Sequence, residues 1–183
     1  MRVITGVARG KRLETLPGND IVRPTSDRVK EGIFSAIQFD IEGRRILDLF
    51  AGSGQLGIEA LSRGAESATF VDLSQQSIDV VRRNLKNTGL LEKARVIRSD
   101  FVSFAASCKE TFDIAFLDPP YEAGYLEKAV TAISPIMSDY GIIICEHPKD
   151  VSLPEVIADF EACRSYRYSH VSVELYRRRK SDA

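Results

Sequence analysis

Four apolar segments of this chain each carry an aspartate at or beside their carboxyl end, and this repetition constrains the fold more than any other feature. The segments lie at 45–50, 68–72, 94–99 and 113–118, and the acids are Asp48, Asp72, Asp100 and Asp118. Segments with helical apolar periodicity separate them, and such alternation predicts a parallel sheet with helices on both faces. The carboxyl ends of parallel strands share one edge, where ligands bind. We therefore expect the four acids to surround one ligand site.

The last of these acids opens the sequence Asp118-Pro119-Pro120-Tyr121. The carboxylate and a proline carbonyl offer acceptors to the two N–H groups of an exocyclic amine, and the tyrosine offers a ring face on which a base can stack. Proline fixes φ and carries no N–H, so the turn is stiff and presents acceptors without competing donors. The same residues are also typical of ordinary strand-ending turns, so the interpretation depends on the rest of the chain.

A glycine-rich turn, Gly52-Ser53-Gly54, follows the first apolar segment. Glycine lets a ligand lie against the backbone where a Cβ would collide. Together with Gly57 the turn matches the dinucleotide pattern Gly-x-Gly-x-x-Gly, which alone is weak evidence. Asp48 stands just before the turn, where a carboxylate repels a pyrophosphate and attracts an amino or sulfonium group. The sequence therefore favours a cationic nucleoside ligand over NAD.

The second and third acids suit the remaining parts of a nucleoside. Asp72 lies 18 residues beyond Gly54, where a carboxylate accepts hydrogen bonds from ribose hydroxyls in nucleoside-binding α/β folds. Asp100 and Phe101 place a carboxylate beside a ring, which suits the edge and face of adenine. Each acid taken singly is better explained as a loop or helix-capping residue. The series of four acids favours the ligand site.

This combination resembles the class I S-adenosylmethionine-dependent methyltransferases, whose amino-methylating branch carries Asp/Asn-Pro-Pro-Tyr/Phe. Further segments closely resemble the RsmD family of bacterial enzymes that methylate the N2 amine of a guanine in 16S ribosomal RNA. These segments are residues 1–6, Gly10-Lys11, Arg23-Pro24-Thr25, 27–31 and 48–64. The resemblance extends from residue 1 to about residue 150. The amino-terminal part is what separates this family from other amine methyltransferases.

The resemblance implies a Rossmann-like α/β fold with a mostly parallel seven-stranded sheet, helices on both faces, a reversed last strand and a small N-terminal β-hairpin appendage. It also implies S-adenosylmethionine as cofactor and, as partner, 16S ribosomal RNA in the small ribosomal subunit or its assembly intermediate. Three features depart from the family pattern: Gln55 replaces a small residue, Asp72 replaces a glutamate, and the stretch 164–171 lacks a turn glycine. None of the three removes a group that the chemistry needs.

Candidate site residues fall into three groups on this basis. The catalytic group is Asp118, Pro119, Pro120 and Tyr121. The cofactor-binding group is Asp48, Phe50, Gly52, Gly54, Asp72, Leu73, Asp100 and Phe101. Residues that bind or support the substrate are Arg9, Lys11, Arg12, Arg23 and Thr25. We expect no metal site, because the three cysteines have no metal-ligand spacing and the two histidines are scattered.

Charge is distributed unevenly along the chain, although the net charge is only −1. Residues 1–30 carry a net charge of +4, residues 164–180 carry +5, and residues 31–163 carry −9. Both ends can therefore bind phosphates while the centre holds the acidic pocket. The run 177–180 also fits a solvated tail, so we favour the basic residues 9–12 as the RNA contact.

The chain divides into an N-terminal hairpin with a basic loop, residues 1–25, and a methyltransferase domain, residues 26–183. Strands are expected at 1–7 and 11–16, a helix near 153–160, and a closing hairpin of strands at 163–168 and 171–178. No segment approaches a transmembrane span and the start has no apolar leader. An odd number of cysteines argues against a disulfide framework. We expect a cytoplasmic monomer.

Three other functions are alternatives to an RNA guanine-N2 methyltransferase. An adenine-N6 methyltransferase acting on DNA or RNA shares the amine-binding motif, but such enzymes usually carry a separate target-recognition region, for which 183 residues leave no room. A nucleoside-binding RNA chaperone without activity is disfavoured by the intact Asp118-Pro-Pro-Tyr sequence. A dehydrogenase is disfavoured by the charge of Asp48.

Overall fold

A computed structural model of the chain describes residues 1–17 and 24–179, and for residues 24–26 it describes the backbone alone. The described residues form five α-helices and eight strands. The helices are α1 (Pro24–Ala36), α2 (Gln55–Ser62), α3 (Gln75–Thr88), α4 (Phe101–Ser107) and α5 (Tyr125–Ile133). The strands are β1 (Arg45–Leu49), β2 (Ser67–Asp72), β3 (Ala94–Arg98), β4 (Phe112–Leu117), β5 (Met137–Pro148), β6 (Val156–Ile157), β7 (Phe160–Arg167) and β8 (Val171–Arg178). None of the described helices is long and apolar enough to cross a membrane.

The strands form one sheet in the order β3-β2-β1-β4-β5-β8-β7-β6. Strands β1 to β5 are parallel to one another, and β8, β7 and β6 continue the sheet as an antiparallel edge. The order reverses between β1 and β4, and ligands bind at such a switch point in open α/β sheets. The predicted parallel sheet with a reversed last strand is confirmed, and β6 adds a two-residue strand to the seven longer ones.

The predicted helix near 153–160 is wrong. The chain there is extended: Val156 and Ile157 form β6, which pairs with the start of β7. β-Branched side chains favour a pleated strand, and Pro154 precedes them with its carbonyl oxygen engaged by the Tyr176 hydroxyl at 2.6 Å. Helical periodicity in so short an apolar stretch cannot be distinguished from a strand without this partner.

Both faces of the sheet are buried because the parallel strands alternate their side chains between two cores. Ile46, Phe70 and Phe116 belong to the core under α1, α2 and α3. Leu47 and Leu117 belong to the core under α4 and α5. This double burial explains the continuous apolar runs in the sequence.

Helix α4 was not predicted from the sequence. It has only seven residues, and its buried side chains are Phe101 and Phe104. Asp100 is its N-cap, because the carboxylate accepts a hydrogen bond from the Ser103 N–H at 2.9 Å. This hydrogen bond lowers the pKa of Asp100. The capping interpretation of Asp100 is therefore confirmed.

The two halves of the N-terminal segment, residues 1–7 and 11–16, are held together by few strand-type hydrogen bonds. A single antiparallel bridge joins Arg2 to Arg12, and the Val3 N–H donates to the Lys11 carbonyl at 2.9 Å. The predicted strands 1–7 and 11–16 thus meet in the expected direction, but turns replace most of the ladder. Tight turns at Gly6 and Gly10, both with positive φ, account for this difference.

Buried groups fix this segment to the rest of the protein. The Glu59 carboxylate accepts the N–H groups of Ile4 and Thr5 at 2.9 and 3.0 Å, and Lys30 donates to the Arg2 carbonyl at 2.7 Å. Val3, Ala8 and Leu13 lie in the core beneath α1 to α3. The basic side chains of Arg9, Lys11 and Arg12 remain exposed.

Candidate active site

The carboxyl ends of β1 to β4 surround a pocket of about 490 Å³. Asp48, Asp72, Asp100 and Asp118 all line it. Each acid comes from a different strand end, so the sheet topology brings together residues that span 71 positions of the sequence. The structure thus places all four predicted acids around one cavity.

The glycine-rich turn between β1 and α2 forms one wall of this pocket. Phe50, Gly52 and Gly54 all have positive φ, of 66°, 56° and 77°. A Cβ added at Gly52 would meet no protein atom within 4 Å, so the space beside this residue is left open on the pocket side of the turn. Gly54 does not line the pocket; a Cβ there would press on Val81 and Phe70 at 3.2–3.3 Å. Gly54 therefore lets the turn pack closely against Val81 and Phe70, on the side away from the pocket.

Gly57, the third glycine of the pattern, packs helix α2 on the sheet. A Cβ at Gly57 would lie 2.4 Å from the Phe70 ring, and its N–H donates to the Asp48 Oδ2 at 2.9 Å. Helix–sheet packing and this hydrogen bond explain the Gly-x-Gly-x-x-Gly match without a dinucleotide.

Asp48 is only 3% exposed. Burial raises its pKa to about 8; the hydrogen bond from Gly57 opposes the shift, and the nearby charges of Asp118 and Asp72 add to it. At pH 7 the carboxyl is therefore largely protonated when no cation lies beside it. A cation placed beside Asp48 favours the ionised form of its carboxyl. The negative charge predicted for Asp48 is therefore expected when a cationic ligand is bound.

Asp72 organises the backbone around the pocket. Its Oδ2 accepts the Gly52 N–H and its Oδ1 accepts the Ser74 N–H, both at 2.9 Å. An ionised carboxylate offers about four acceptor positions, so both oxygens keep capacity for ligand hydroxyls. Leu73 follows at the pocket rim with 66% of its surface exposed.

Three aromatic rings meet at the same pocket. Phe50 lies 5.6 Å from both Phe101 and Tyr125, and Phe101 lies 5.2 Å from Tyr125, between ring centroids. These separations are typical of stabilising aromatic pairs. Tyr125 was not predicted as a site residue; an aromatic residue four positions after Tyr121, at the start of the next helix, was the available signal.

The Asp118-Pro119-Pro120 turn lines the pocket beside Asp48. The Pro120 carbonyl accepts the Glu122 N–H at 2.9 Å, whereas no backbone N–H of the described residues donates to the Pro119 carbonyl. Asp118 has exposed surface on the pocket side, yet the protein atoms around its carboxyl raise its pKa to about 6. No hydrogen bond from the described residues to the Asp118 carboxyl or to the Pro119 carbonyl is found, which leaves both as candidate acceptors.

Tyr121 lies outside the main pocket. Its side chain is 60% exposed and lines an adjoining cavity of about 270 Å³ that shares Pro119 and Pro120 with the first. The turn therefore separates two neighbouring cavities.

Other residues of the pocket were missed in the sequence. Gln55 is notable, because its Oε1 is buried and has no hydrogen-bond partner within residues 1–17 and 24–179. The further lining residues with polar side chains are Thr15, Ser53, Ser77 and Ser99. Single small polar residues carry no distinctive sequence signal, whether they lie in loops, like Ser53 and Ser99, or in a helix, like Ser77.

Three of the five predicted substrate residues are described with their side chains, and none of the three lines the pocket. Arg9, Lys11 and Arg12 are exposed on the N-terminal segment and line none of the cavities described above. Arg23 lies outside the described residues, and Thr25 is described only as backbone in the first turn of α1. Within the described part of the chain, no group of three or more histidine, cysteine or acidic side chains could hold a metal ion.

Comparison with known proteins places the chain in a family. The model of the family described as "Conserved hypothetical protein 95" matches residues 1–177. The chain belongs to this family. The predicted membership of the RsmD family is confirmed, since curated family relatives carry the name ribosomal RNA small subunit methyltransferase D.

The relatives cover nearly the whole chain. "Putative rRNA methyltransferase YlbH" of Bacillus subtilis is 43% identical over 98% of this chain and 100% of its own length. "Ribosomal RNA small subunit methyltransferase D" of Escherichia coli is 35% identical over 97% of this chain and 90% of its own length. Among solved structures, "Putative methyltransferase yhhF from Escherichia coli" superposes with a TM-score of 0.86 at 36% identity and covers 97% of each chain. The predicted class I methyltransferase fold is confirmed, and this member of the family is a methyltransferase.

Proposed function

We propose that this protein transfers a methyl group from S-adenosylmethionine to the exocyclic N2 amine of a guanine in 16S ribosomal RNA of the small ribosomal subunit. The observation that carries the proposal is the Asp118-Pro119-Pro120 turn on the wall of the acidic pocket formed with the glycine-rich turn. The name of the Escherichia coli relative, ribosomal RNA small subunit methyltransferase D, supports the substrate class.

S-adenosylmethionine is the methyl donor, and the pocket residues fit it. Bound there, it supplies an electrophilic methyl group on a sulfonium. The open space at Gly52 admits a ligand against the backbone. The unpartnered Gln55 Oε1 and the buried Asp48 carboxyl offer acceptors for an ammonium group. We assign the remaining acceptor of each Asp72 oxygen to the ribose, and Leu73, Asp100 and Phe101 to the adenine.

Asp118 and the Pro119 carbonyl hold the target amine in this mechanism. The amine lone pair of guanine is delocalised into the ring, so the nitrogen is a poor nucleophile. Two acceptors that bind its two N–H groups aim the lone pair at the methyl group, and catalysis is largely positioning. With a pKa of about 6, the Asp118 carboxyl is mostly ionised at pH 7. It therefore stabilises the positive charge that develops on nitrogen and takes up the proton as it leaves.

Tyr121 stacks on the base after it leaves its RNA helix or loop. A base inside a duplex cannot reach a pocket at the sheet edge, so it must be extruded. The exposed ring beside the proline turn provides a face for stacking at the entrance. We assign the RNA backbone to the exposed Arg9, Lys11 and Arg12.

The decisive experiment measures where the methyl group goes. Small and large ribosomal subunits from a methylation-deficient strain are incubated separately with the protein and S-adenosylmethionine labelled in the methyl group. The RNA is then digested to nucleosides and analysed by mass spectrometry. Label in N2-methylguanosine of the small subunit is expected. Label in N6-methyladenosine, or in the large subunit alone, would contradict the proposal.

A further inference from the structure

Glu146 extends the row of strand-end acids by one strand. Leu117 of β4 and Cys145 of β5 are register partners in a parallel pair, so the next residues, Asp118 and Glu146, lie side by side. Counting along the sheet from β3, the acids are Asp100, Asp72, Asp48, Asp118 and Glu146. The four aspartates line the pocket and have roles in the proposed function. Glu146 is not among the lining residues and has no role so far.

The Glu146 carboxylate has no partner within the described residues. No hydrogen bond or ion pair from them reaches it, although the residue is only half-exposed and lies on a central part of the sheet. Partly buried carboxylates are normally paired, since desolvation without a partner is costly. Burial, and then the charge of Asp118, raise the pKa of Glu146 to about 8. A carboxyl group that has no protein partner and lies beside Asp118 has acceptor oxygens available to a substrate.

The surroundings of Glu146 orient its side chain on the same side of the sheet as Asp118. Its neighbour Cys145 points into the core under α4 and α5 together with Leu117. Its partner on β8, Val173, belongs to the opposite core. Because side chains alternate along a strand, Asp118 and Glu146 both point away from the α4 and α5 side.

The position along the sheet separates Glu146 from the methyl donor. In the proposed function the methyl donor binds to the glycine turn and to the acids of β1, β2 and β3, which all lie on one side of Asp118 along the sheet. The target base must then approach from the other side, over the ends of β4 and β5. Glu146 lies on this acceptor side.

We infer that Glu146 is a specificity-determining residue that accepts a hydrogen bond from the N1–H of guanine while Asp118 and the Pro119 carbonyl hold the adjacent N2 amine. This inference rests on the proposed function. Guanine presents two neighbouring donors, N1–H and N2–H, and so matches two neighbouring carboxyl groups. Adenine presents an unprotonated N1 beside its amine, so it has no hydrogen to donate to Glu146, and the ionised form of this side chain repels it. The pair of acids therefore selects guanine over adenine.

The test compares guanine with 2-aminopurine, which keeps the N2 amine but has no hydrogen on N1. Once the methylated nucleotide has been mapped, small-subunit RNA carrying either base at that position is prepared by ligation and assembled into subunits. The rate kcat/KM is measured for the wild type, Glu146→Ala and Glu146→Gln. Glu146→Ala should lose about 10- to 100-fold on guanine and little on 2-aminopurine, since only guanine loses a partner. At pH 9, above the pKa of Glu146, Glu146→Gln should act faster than the wild type on 2-aminopurine, because its amide can donate to N1 and the ionised wild-type side chain cannot.

Glu174→Ala is the matched control, since this half-buried acid on β8 bonds to Ser165 at 2.8 Å and takes no part in the proposed site. It should leave the ratio of the two rates unchanged. Calorimetric affinity for S-adenosylhomocysteine and the thermal midpoint report folding of each variant. An equal loss on both bases in Glu146→Ala, or unchanged ratios in both Glu146 variants, would overturn the inference. A wild type that methylates no guanine of the subunit would instead refute the proposed function.

Discussion

Asp72 holds the Gly52 backbone in place, because its Oδ2 accepts the Gly52 N–H at 2.9 Å. The other oxygen accepts the Ser74 N–H and so ties the end of β2 to the start of α3. One side chain thus supports the turn that forms the pocket wall, and the proposed function assigns its remaining acceptor positions to the ribose. A structural and a binding role would then coexist at this position.

Replacing Asp72 by alanine should weaken cofactor binding by about 1–3 kcal/mol, the usual cost of leaving buried partners unpaired. Both the ribose hydroxyls and the Gly52 N–H lose their acceptor. Asp72→Asn, which retains one acceptor oxygen, should show a smaller loss. Calorimetry with S-adenosylhomocysteine measures both. If affinity is the same in Asp72→Ala and the wild type, Asp72 only supports the backbone.

Much of the sheet could be predicted because double burial gives the parallel strands continuous apolar runs. β1, β2, β4 and their acids were located correctly for this reason. The short helix α4 could not be predicted, since two buried phenylalanines over seven residues give little periodicity. β6 depends on pairing with β7, which is a tertiary contact that local pattern does not encode.

Asp118→Ala should reduce methyl transfer by two orders of magnitude or more, about the loss seen when a transition-state partner is removed. Cofactor affinity should stay within a few-fold, because the glycine turn and Asp72 are untouched. Single-turnover assays and calorimetry separate these effects. A variant that loses cofactor binding as completely as activity would show that Asp118 belongs to the cofactor site.

Asp48→Asn should gain stability relative to the wild type as pH rises. The folded pKa of Asp48 is about 8, well above that of an aspartate in the unfolded chain, so the folded state holds an extra proton between the two pKa values. The wild-type contribution is therefore fully present below about pH 4 and is lost as pH rises towards 8, with a slope of up to about 1.4 kcal/mol per pH unit. Asparagine keeps an acceptor for the Gly57 N–H and lacks this dependence. Urea unfolding of both proteins at pH 5 to 9 measures the difference, which should grow with pH; a constant difference would show that Asp48 is ionised in the folded state.

The site could be predicted from the sequence only where the residue type itself indicates a chemical role. Acids at strand ends and the Asp-Pro-Pro-Tyr turn stood out in the sequence, and the sheet edge brings most of them together. Gln55 and Tyr125 were not recognised, because their contribution depends on how the start of a helix faces the pocket. Gly54 was predicted to bind the cofactor, and Gly57 completes the dinucleotide pattern. Both glycines instead allow close packing against Phe70.

Tyr125→Ala should weaken cofactor binding several-fold, since the ring lines the pocket and its loss also removes two aromatic contacts, each of which contributes about 0.5–1.5 kcal/mol to the packing of the pocket wall. The partners are Phe50 on the glycine turn and Phe101 at the start of α4. Tyr125→Phe preserves the rings and should bind normally. Tyr121→Ala is the contrasting variant: it should raise KM for the RNA and leave cofactor affinity unchanged. Equal cofactor affinities in both alanine variants would contradict this division between the two tyrosines.

Neutralising Arg9, Lys11 and Arg12 together should weaken binding to ribosomal subunits and flatten its dependence on salt. Each lost phosphate contact removes released counterions, so the slope of log K against log salt should fall by about 0.7–0.9 per contact. The C-terminal run is the weaker candidate, because Arg177 and Arg178 already pair with Asp40 and Asp159.

The fold and the cofactor affinity should survive this triple change, because the three side chains are exposed and exposed charges contribute little to stability. A matched triple on the face of the sheet covered by α4 and α5, away from the N-terminal segment, removes the exposed cations Arg95, Lys109 and Lys128. Equal loss of positive charge there should lower affinity only slightly and leave the salt slope near the wild-type value. If instead the two triples change the slope equally, the attraction is a property of the net charge and no particular surface binds the RNA. An unaltered slope in the N-terminal triple would move the RNA contact to other residues.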